Sequence, residues 1–174
     1  MVYDFWWKPL PYFDLLWWWW SPSTPAIRLL RSDKAAACAA LHAAGFAHPW
    51  SEEEIAQLIV DPATISAAAL DPITETLRGF AIARLAADEA EILTIAVDAW
   101  WRSRGIGRAL VAEMLSQAAI VGVRAMFLEV AEDNAPALAL YRHLGFIKVG
   151  ERPGYYLRKD GSRALAIVMR KELA

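Results

Sequence analysis

The segment Ile95–Gly107, IAVDAWWRSRGIG, holds the residues best suited to chemistry. An apolar run ends in a loop bearing Arg102, Arg104, Gly105 and Gly107 and passes at once into a helical pattern. Glycines let backbone N–H groups come close to a ligand, and a helix start favours an anion. Arg102 and Arg104 add fixed positive charge that suits phosphate. The spacing predicts a pyrophosphate cradle; a plain tight strand-to-helix turn is the alternative. The cofactor-binding candidates of the segment are Ile95, Ala96 and Val97 at the strand end, then Arg102, Ser103, Arg104, Gly105, Ile106, Gly107 and Arg108. No Lys-Ser/Thr follows the glycines, and Leu110 stands where a third glycine would be needed. The segment is therefore neither a Walker A loop nor a G-x-G-x-x-G dinucleotide fingerprint.

Other chemistries have little material. Cys38 is the only cysteine, which rules out an internal disulfide and a multi-cysteine zinc site. His42, His48 and His143 are scattered, so no metal centre is expected. Lys+Arg 18 against Asp+Glu 20 gives a net charge of −2, which disfavours a nucleic-acid binder.

The elements that must position the cradle can be read from local signals. Ala26–Leu30 reads as a strand, and Ser32 and Asp33 are expected to cap a helix over Lys34–Ala44 that stops at Gly45. Ser51 and Glu54 form a capping box for a helix through Val60, ended by Asp61-Pro62. Strands are expected over Thr64–Leu70, Leu77–Leu85 and Glu89–Val97. Gly105–Val121 has the helical period, with Ile106, Leu110, Met114 and Ala118 on one stripe. Ala125–Val130 reads as a buried strand. Asn134 caps a helix through Leu144, with Pro136 in its first turn and Gly145 as its stop. Phe146–Gly150 and Arg163–Lys171 read as closing strands about a Lys159-Asp160-Gly161 turn. The 174 residues thus suggest one α/β domain over 26–174, ordered β-α-α-β-β-β-α-β-α-β-β.

Residues 1–25 form an arm of another character. Half of the chain's aromatic residues fall in the first twenty positions, including Trp6, Trp7 and Trp17 to Trp20. The apolar run Leu15–Trp20 is far short of the roughly 20 residues that span a bilayer, and it lacks the form of a secretory signal. The arm is expected to fold back on the domain or to mediate self-association, since so much exposed aromatic surface invites contact. Peripheral membrane contact, gating of a substrate groove and an irrelevant extension stay open. No targeting signal is read, so a cytoplasmic location is expected.

Downstream of the cradle come Glu129-Val130, Asn134, Tyr141 and Leu144-Gly145-Phe146. With the Arg102–Gly107 loop, this run resembles the GNAT acyltransferase superfamily, through its R/Q-x-x-G-x-G/A loop and its N-x(6)-Y-x-x-L-G-F signature. The resemblance covers roughly Ile27 to Glu172. It implies an α/β fold with a mixed, mostly antiparallel sheet, splayed between its fourth and fifth strands and flanked by helices, and acetyl-CoA as cosubstrate. Pro49-Trp50-Ser51-Glu52, Leu128-Glu129-Val130, Tyr155-Tyr156 and Asp160-Gly161 are similar to RimI-type protein N-terminal acetyltransferases. That narrower resemblance implies acetylation of a protein α-amine, on a ribosomal protein.

The resemblance assigns Glu129 as general base through a water, Tyr141 as general acid, and a backbone N–H near Val97 to the oxyanion. An α-amine of pKa about 7.7–8.0 asks little of a base, and a phenol of pKa about 10 is protonated at neutral pH. Asn134 is placed near the pantetheine arm. Phe46, His48 and Trp50 become one acceptor wall and Tyr155 and Tyr156, in the last hairpin loop, the other. The plainer readings are a strand-end charge for Glu129, core packing for Tyr141, helix capping for Asn134 and a small hydrophobic cluster for the walls. Two departures stand out: Arg163-Ala164-Leu165-Ala166 replaces the acidic residues RimI-type sequences carry before the final strand, and the aromatic arm is extra. The alternatives are a small-molecule or lysine acceptor, or a CoA-binding module without catalysis.

Overall fold

Alanines on the central strands let helices pack closely on both faces of the sheet. The structure is a computed structural model that describes residues 24–157 and 163–173, with the side chains of residues 154–157 and 163–164 outside that description. Residues 1–23 of the aromatic arm and the Lys159-Asp160-Gly161 turn also lie outside the described residues. The strands are β1 (Ala26–Leu29), β2 (Thr64–Leu70), β3 (Leu77–Ala86), β4 (Glu89–Val97), β5 (Ala125–Ala131), β6 (Ile147–Leu157) and β7 (Arg163–Glu172). The helices are α1 (Ala35–Gly45), α2 (Glu52–Val60), α3 (Ile106–Ile120) and α4 (Ala135–His143). Short 3-10 turns at Ser32–Lys34 and Ala99–Trp101 precede α1 and follow β4.

The strands form one sheet in the order β1-β2-β3-β4-β5-β7-β6. Every neighbouring pair is antiparallel except β4 and β5, which run parallel and are joined by the α3 crossover. Each face of the sheet carries a core. On one, α3 and α4 bury Ile106, Leu110, Met114 and Leu138 against Ala67, Ala69, Ala81, Met126 and Leu128. On the other, α1 and α2 bury Cys38 and Ile55 against Ala68, Phe80, Ile82 and Ala96. Strand β2 is therefore covered on both sides, and alanine on both of its faces lets the helices approach.

The element order is the one expected, and β2 and β4 have the expected bounds. Ser51 accepts the Glu54 N–H while the Glu54 side chain accepts the Ser51 N–H, a complete capping box. Two differences bear on the argument. Ser32 and Asp33 do not cap α1: they lie in a 3-10 turn, and Asp33 instead accepts the Arg31 Nε–H at 3.3 Å. Strand β6 runs on to Leu157 rather than stopping at Gly150. Its pairing with β7 shifts between Lys148 and Gly150 and again between Arg152 and Tyr156, so bulges carry it past the glycine and proline that break its pattern.

Candidate functional site

The cradle is built by a chain of local bonds. Asp98 accepts the Trp100 N–H at 3.0 Å and turns the chain out of β4. Arg102 ends the 3-10 turn at φ −65, Ser103 has φ 60, Arg104 returns to negative φ, and Gly105 has φ 84. Ser103 and Gly105 in the left-handed region make a tight turn into the start of α3, where free backbone N–H groups favour an anion. Helix α3 starts immediately after, adding its positive end. The helix is seated by Gly79 on β3: a Cβ there would lie 2.9 Å from the Ala96 carbonyl oxygen and 3.3 Å from both Ile106 and Leu110. A Cβ on Gly107 would rest on Leu140 at 3.4 Å, so α4 lies beside the first turn of α3.

The side chains of the cradle divide differently from their sequence reading. Arg102 folds back, and its Nε donates to the Val97 carbonyl at 3.1 Å. Arg104 lies over the Trp101 ring at 5.2 Å, with Arg78 over the same ring at 4.8 Å. Ile106 is buried in the core and can offer a ligand only its backbone, whereas Ser103 and Arg108 are exposed.

Next to the cradle the sheet opens. Pairing of β4 with β5 runs from Glu89↔Ala125 to Ile92↔Leu128 and stops. The cause is a bulge. Ile82 pairs with Thr94 but Ala83 with Ile92, leaving Leu93 as an extra residue that bends β4 away. Beyond the bulge, Val97 stands opposite Gly79 and the Asp98 N–H donates to Arg78 at 2.9 Å. By antiparallel alternation, the N–H and C=O groups of Ile95 and Val97 are turned from β3 toward the gap, and those of Ala96 are turned to β3. Ala96 also buries its side chain, so of the expected trio only Ile95 and Val97 offer backbone to the opening.

Glu129 is the first β5 residue past the last pair with β4. It alternates with buried Leu128 and Val130 and so lies on the other face of the sheet from their core. Its side chain is only 10% exposed and meets Arg152 Nη1 at 2.8 Å. Tyr141 lies on α4, buried, with its ring edge-on to Phe146 at 5.8 Å. Asn134 accepts the Ala137 N–H at 3.2 Å, so it does cap α4.

Two of the residues expected to form the first acceptor wall, Phe46 and Trp50, belong to an aromatic stack organised by His42, a residue given no role in the sequence. His42, 2% exposed, stacks on Phe46 at 4.0 Å and on Trp50 at 5.0 Å, and its Nδ1 accepts the Trp50 N–H at 3.1 Å. Burial pushes His42 below its ordinary value, with Glu54 opposing. That suits a neutral imidazole whose Nδ1 accepts. His48 lies exposed in the same connection. Trp50 also lines a cavity of about 320 Å³ with Arg84, which pairs with Glu91 in the closed half of β4; no residue of the gap lines it. Tyr155 and Tyr156 belong to strand β6 rather than to a hairpin loop, with Tyr156 opposite Ala164. Signals for the stack existed in the spacing of His42, Phe46 and Trp50. None existed for Arg152, which reaches Glu129 only because β7 lies between β5 and β6.

Cys38 offers no nucleophile, since burial pushes its thiol up to about 12. Among the described residues no group of three His, Cys, Asp or Glu could hold a metal ion. No described helix is long and apolar enough to cross a membrane.

Comparison with known proteins adds to this geometry. The profile of the acetyltransferase (GNAT) family matches residues 2–146. An uncharacterized protein of Mycobacterium leprae is 47% identical over 102 residues, 56% of this chain and 27% of that protein. The [ribosomal protein bS18]-alanine N-acetyltransferase of Escherichia coli is 41% identical over 93 residues, 53% of this chain and 62% of the enzyme. The chain thus spans less than two thirds of either relative. The crystal structure of the Escherichia coli S18-alanine N-acetyltransferase superposes with a TM-score of 0.78 at 32% identity, covering 86% of this chain and 94% of that one.

Proposed function

The chain belongs to the acetyltransferase (GNAT) family, and from that premise we propose that it transfers an acetyl group from acetyl-CoA to the α-amine of a protein N-terminus, without a covalent enzyme intermediate. The observation that carries the proposal is the opening beyond Ile92 and Leu128, with the backbone of Ile95 and Val97 on one side and Glu129 on the other. It adjoins an anion-favouring loop, and the aromatic stack meets Phe80, which pairs with Ala96 of the same strand β4. The turn over 102–105 into the start of α3 suits a pyrophosphate, and the strand edge at Ile95 and Val97 suits an amide-bearing chain that can add to it. Acetyl-CoA has both features, and it supplies an activated thioester carbonyl.

Each protein group then has one task. Glu129 takes the proton of the attacking amine, directly or through a water, as the C–N bond forms. The Val97 N–H stabilises the charge that develops on the carbonyl oxygen. Tyr141 gives its proton to the departing sulfur as the C–S bond breaks. Solvent then returns a proton to the phenolate and removes one from the carboxyl group. Phe46, His48, Trp50, Tyr155 and Tyr156 flank the acceptor. Asn134 caps α4 and lies near the pantetheine arm, while Ser103, Arg104 and Arg108 border the phosphates.

The acceptor class is supported by the Escherichia coli relative, whose name gives an alanine of ribosomal protein bS18 as its target. A ribosomal acceptor implies a cytoplasmic site of action. The catalytic domain is taken as residues 26–174, with the aromatic arm as an appendage.

Thiol release from acetyl-CoA with three matched peptides tests the proposal. One has a free N-terminal alanine and no lysine, one a blocked N-terminus and an internal lysine, and one neither amine. Turnover is expected with the first alone. Glu129→Gln should lower kcat by about 10²–10⁴ while acetyl-CoA still binds. Turnover on the lysine peptide would assign a different acceptor, and an unchanged rate in Glu129→Gln would remove the base.

A further inference from the structure

We propose that Arg152 is a positioning residue for Glu129: it reaches across β7, fixes the orientation of the carboxylate at the sheet opening, and holds it in the charged form that accepts a proton. The proposal rests on the reading of Glu129 as the base.

The geometry is long-range. Strands β5 and β6 are both neighbours of β7, so their backbones lie about 10 Å apart. Arg152 pairs with Ala166 of β7, and Ala166 pairs in turn with Ala131 of β5. Small side chains at 166 and 131 leave clearance above the sheet, and the guanidinium crosses there to place Nη1 2.8 Å from Glu129 Oε1. Few other side chains are long enough to make this crossing, and a guanidinium adds a planar, oriented donor set.

The chemistry requires such a partner. A carboxylate 10% exposed has lost most of its water. Burial works against the charged form, and a guanidinium beside the carboxylate offsets that cost. Several other described charged groups of these strands are engaged elsewhere or lie further along the sheet. Arg170 of β7 sits over the Phe127 ring and pairs with Glu172. Glu91 of β4 stands beside Phe127, two positions from Glu129 in β5. Lys148 and Glu151 pair with each other, and their β7 partners Met169 and Ile167 belong to the core on the other face. Arg152 is thus a cation placed to hold this carboxylate.

The position of Arg152 in its strand adds a second consequence. The β6–β7 register breaks immediately after Arg152, and the displaced segment carries Tyr155 and Tyr156. The ion pair therefore ties the base to the root of the strand segment that bears the second acceptor wall.

Two measurements on Arg152→Gln and Arg152→Lys test this. The first is a carbon-detected NMR titration of the Glu129 carboxyl group in the full chain, assigned with Glu129→Gln. The second is kcat and KM on the free-alanine peptide. In Arg152→Gln the Glu129 titration should move to higher pH by roughly half a unit to one unit, limited by the solvent exposure of the arginine. kcat should fall about tenfold while KM for acetyl-CoA stays constant. Arg152→Lys should restore most of both. A merely structural role would lower thermal stability and leave the titration unmoved, which overturns the proposal. A moved titration with unchanged kcat would remove Arg152 from the reaction. No turnover by the parent protein on any peptide, with acetyl-CoA bound, would instead defeat the acceptor reading beneath it.

Discussion

His42 shows how much one buried side chain can organise. Its ring lies between Phe46 and Trp50, and its Nδ1 accepts the Trp50 N–H that opens the connection into α2. Only the neutral imidazole can accept there. Burial lowers the folded-state value below the ordinary one near 6.5, so below that pH the unfolded chain binds more protons than the folded one. The stability that His42 contributes is full above about pH 6.5 and is lost as pH falls through the depressed folded value, at no more than about 1.4 kcal/mol per pH unit. Urea unfolding between pH 7.5 and 5 should therefore show a steeper loss in the parent protein than in His42→Phe. The variant should be less stable at pH 7.5 by about 1–3 kcal/mol, because the Trp50 N–H loses its acceptor. Parallel pH dependences would show that the imidazole is not held neutral.

At the scale of elements, the site depends on how closely α3 lies on the sheet. Gly79 is the contact that permits it: its missing side chain admits the Ala96 carbonyl, Ile106 and Leu110. Gly79→Ala puts a methyl group 2.9 Å from that backbone oxygen, and backbone cannot swing aside as a flexible side chain can. The substitution should cost about 1–3 kcal/mol in chemical denaturation. It should also weaken acetyl-CoA binding in calorimetry, because the start of α3 forms one side of the cradle. Gly45→Ala, with nothing within 4 Å of the added atom, is the matched control and should leave affinity unchanged. Equal affinity in both variants would show that the cradle tolerates a displaced helix.

For the whole molecule, the two cores account for the described fold on both faces of one sheet. All of their residues lie between Ile27 and Leu173. A chain shortened to begin at Thr24 should fold cooperatively and bind acetyl-CoA with the affinity of the full chain. A loss of cooperative unfolding would make residues 1–23 part of the domain. A rise in peptide turnover would indicate that the arm covers the groove.

Local patterns made much of this legible. Ser51 and Glu54 cap α2 as their spacing predicts, Gly122 and Gly145 take positive φ where helices end, and β2 and β4 begin and end where their apolar runs do. Such features depend on residues a few positions apart, so the chain itself determined them, along with the element order and the anion-favouring loop. The failures share the opposite property. Ser32 and Asp33 had the chemistry of caps, but the chain entering from β1 made a 3-10 turn there, and Asp33 met Arg31. The bulge at Leu93 shows only in the pairing of β4 with β3. Arg152 meets Glu129 because β7, the last of the described strands, inserts between β5 and β6. Tertiary structure alone decided these contacts, because strand pairing joins residues far apart in the chain and a one-residue change of register alters which side chains share a face.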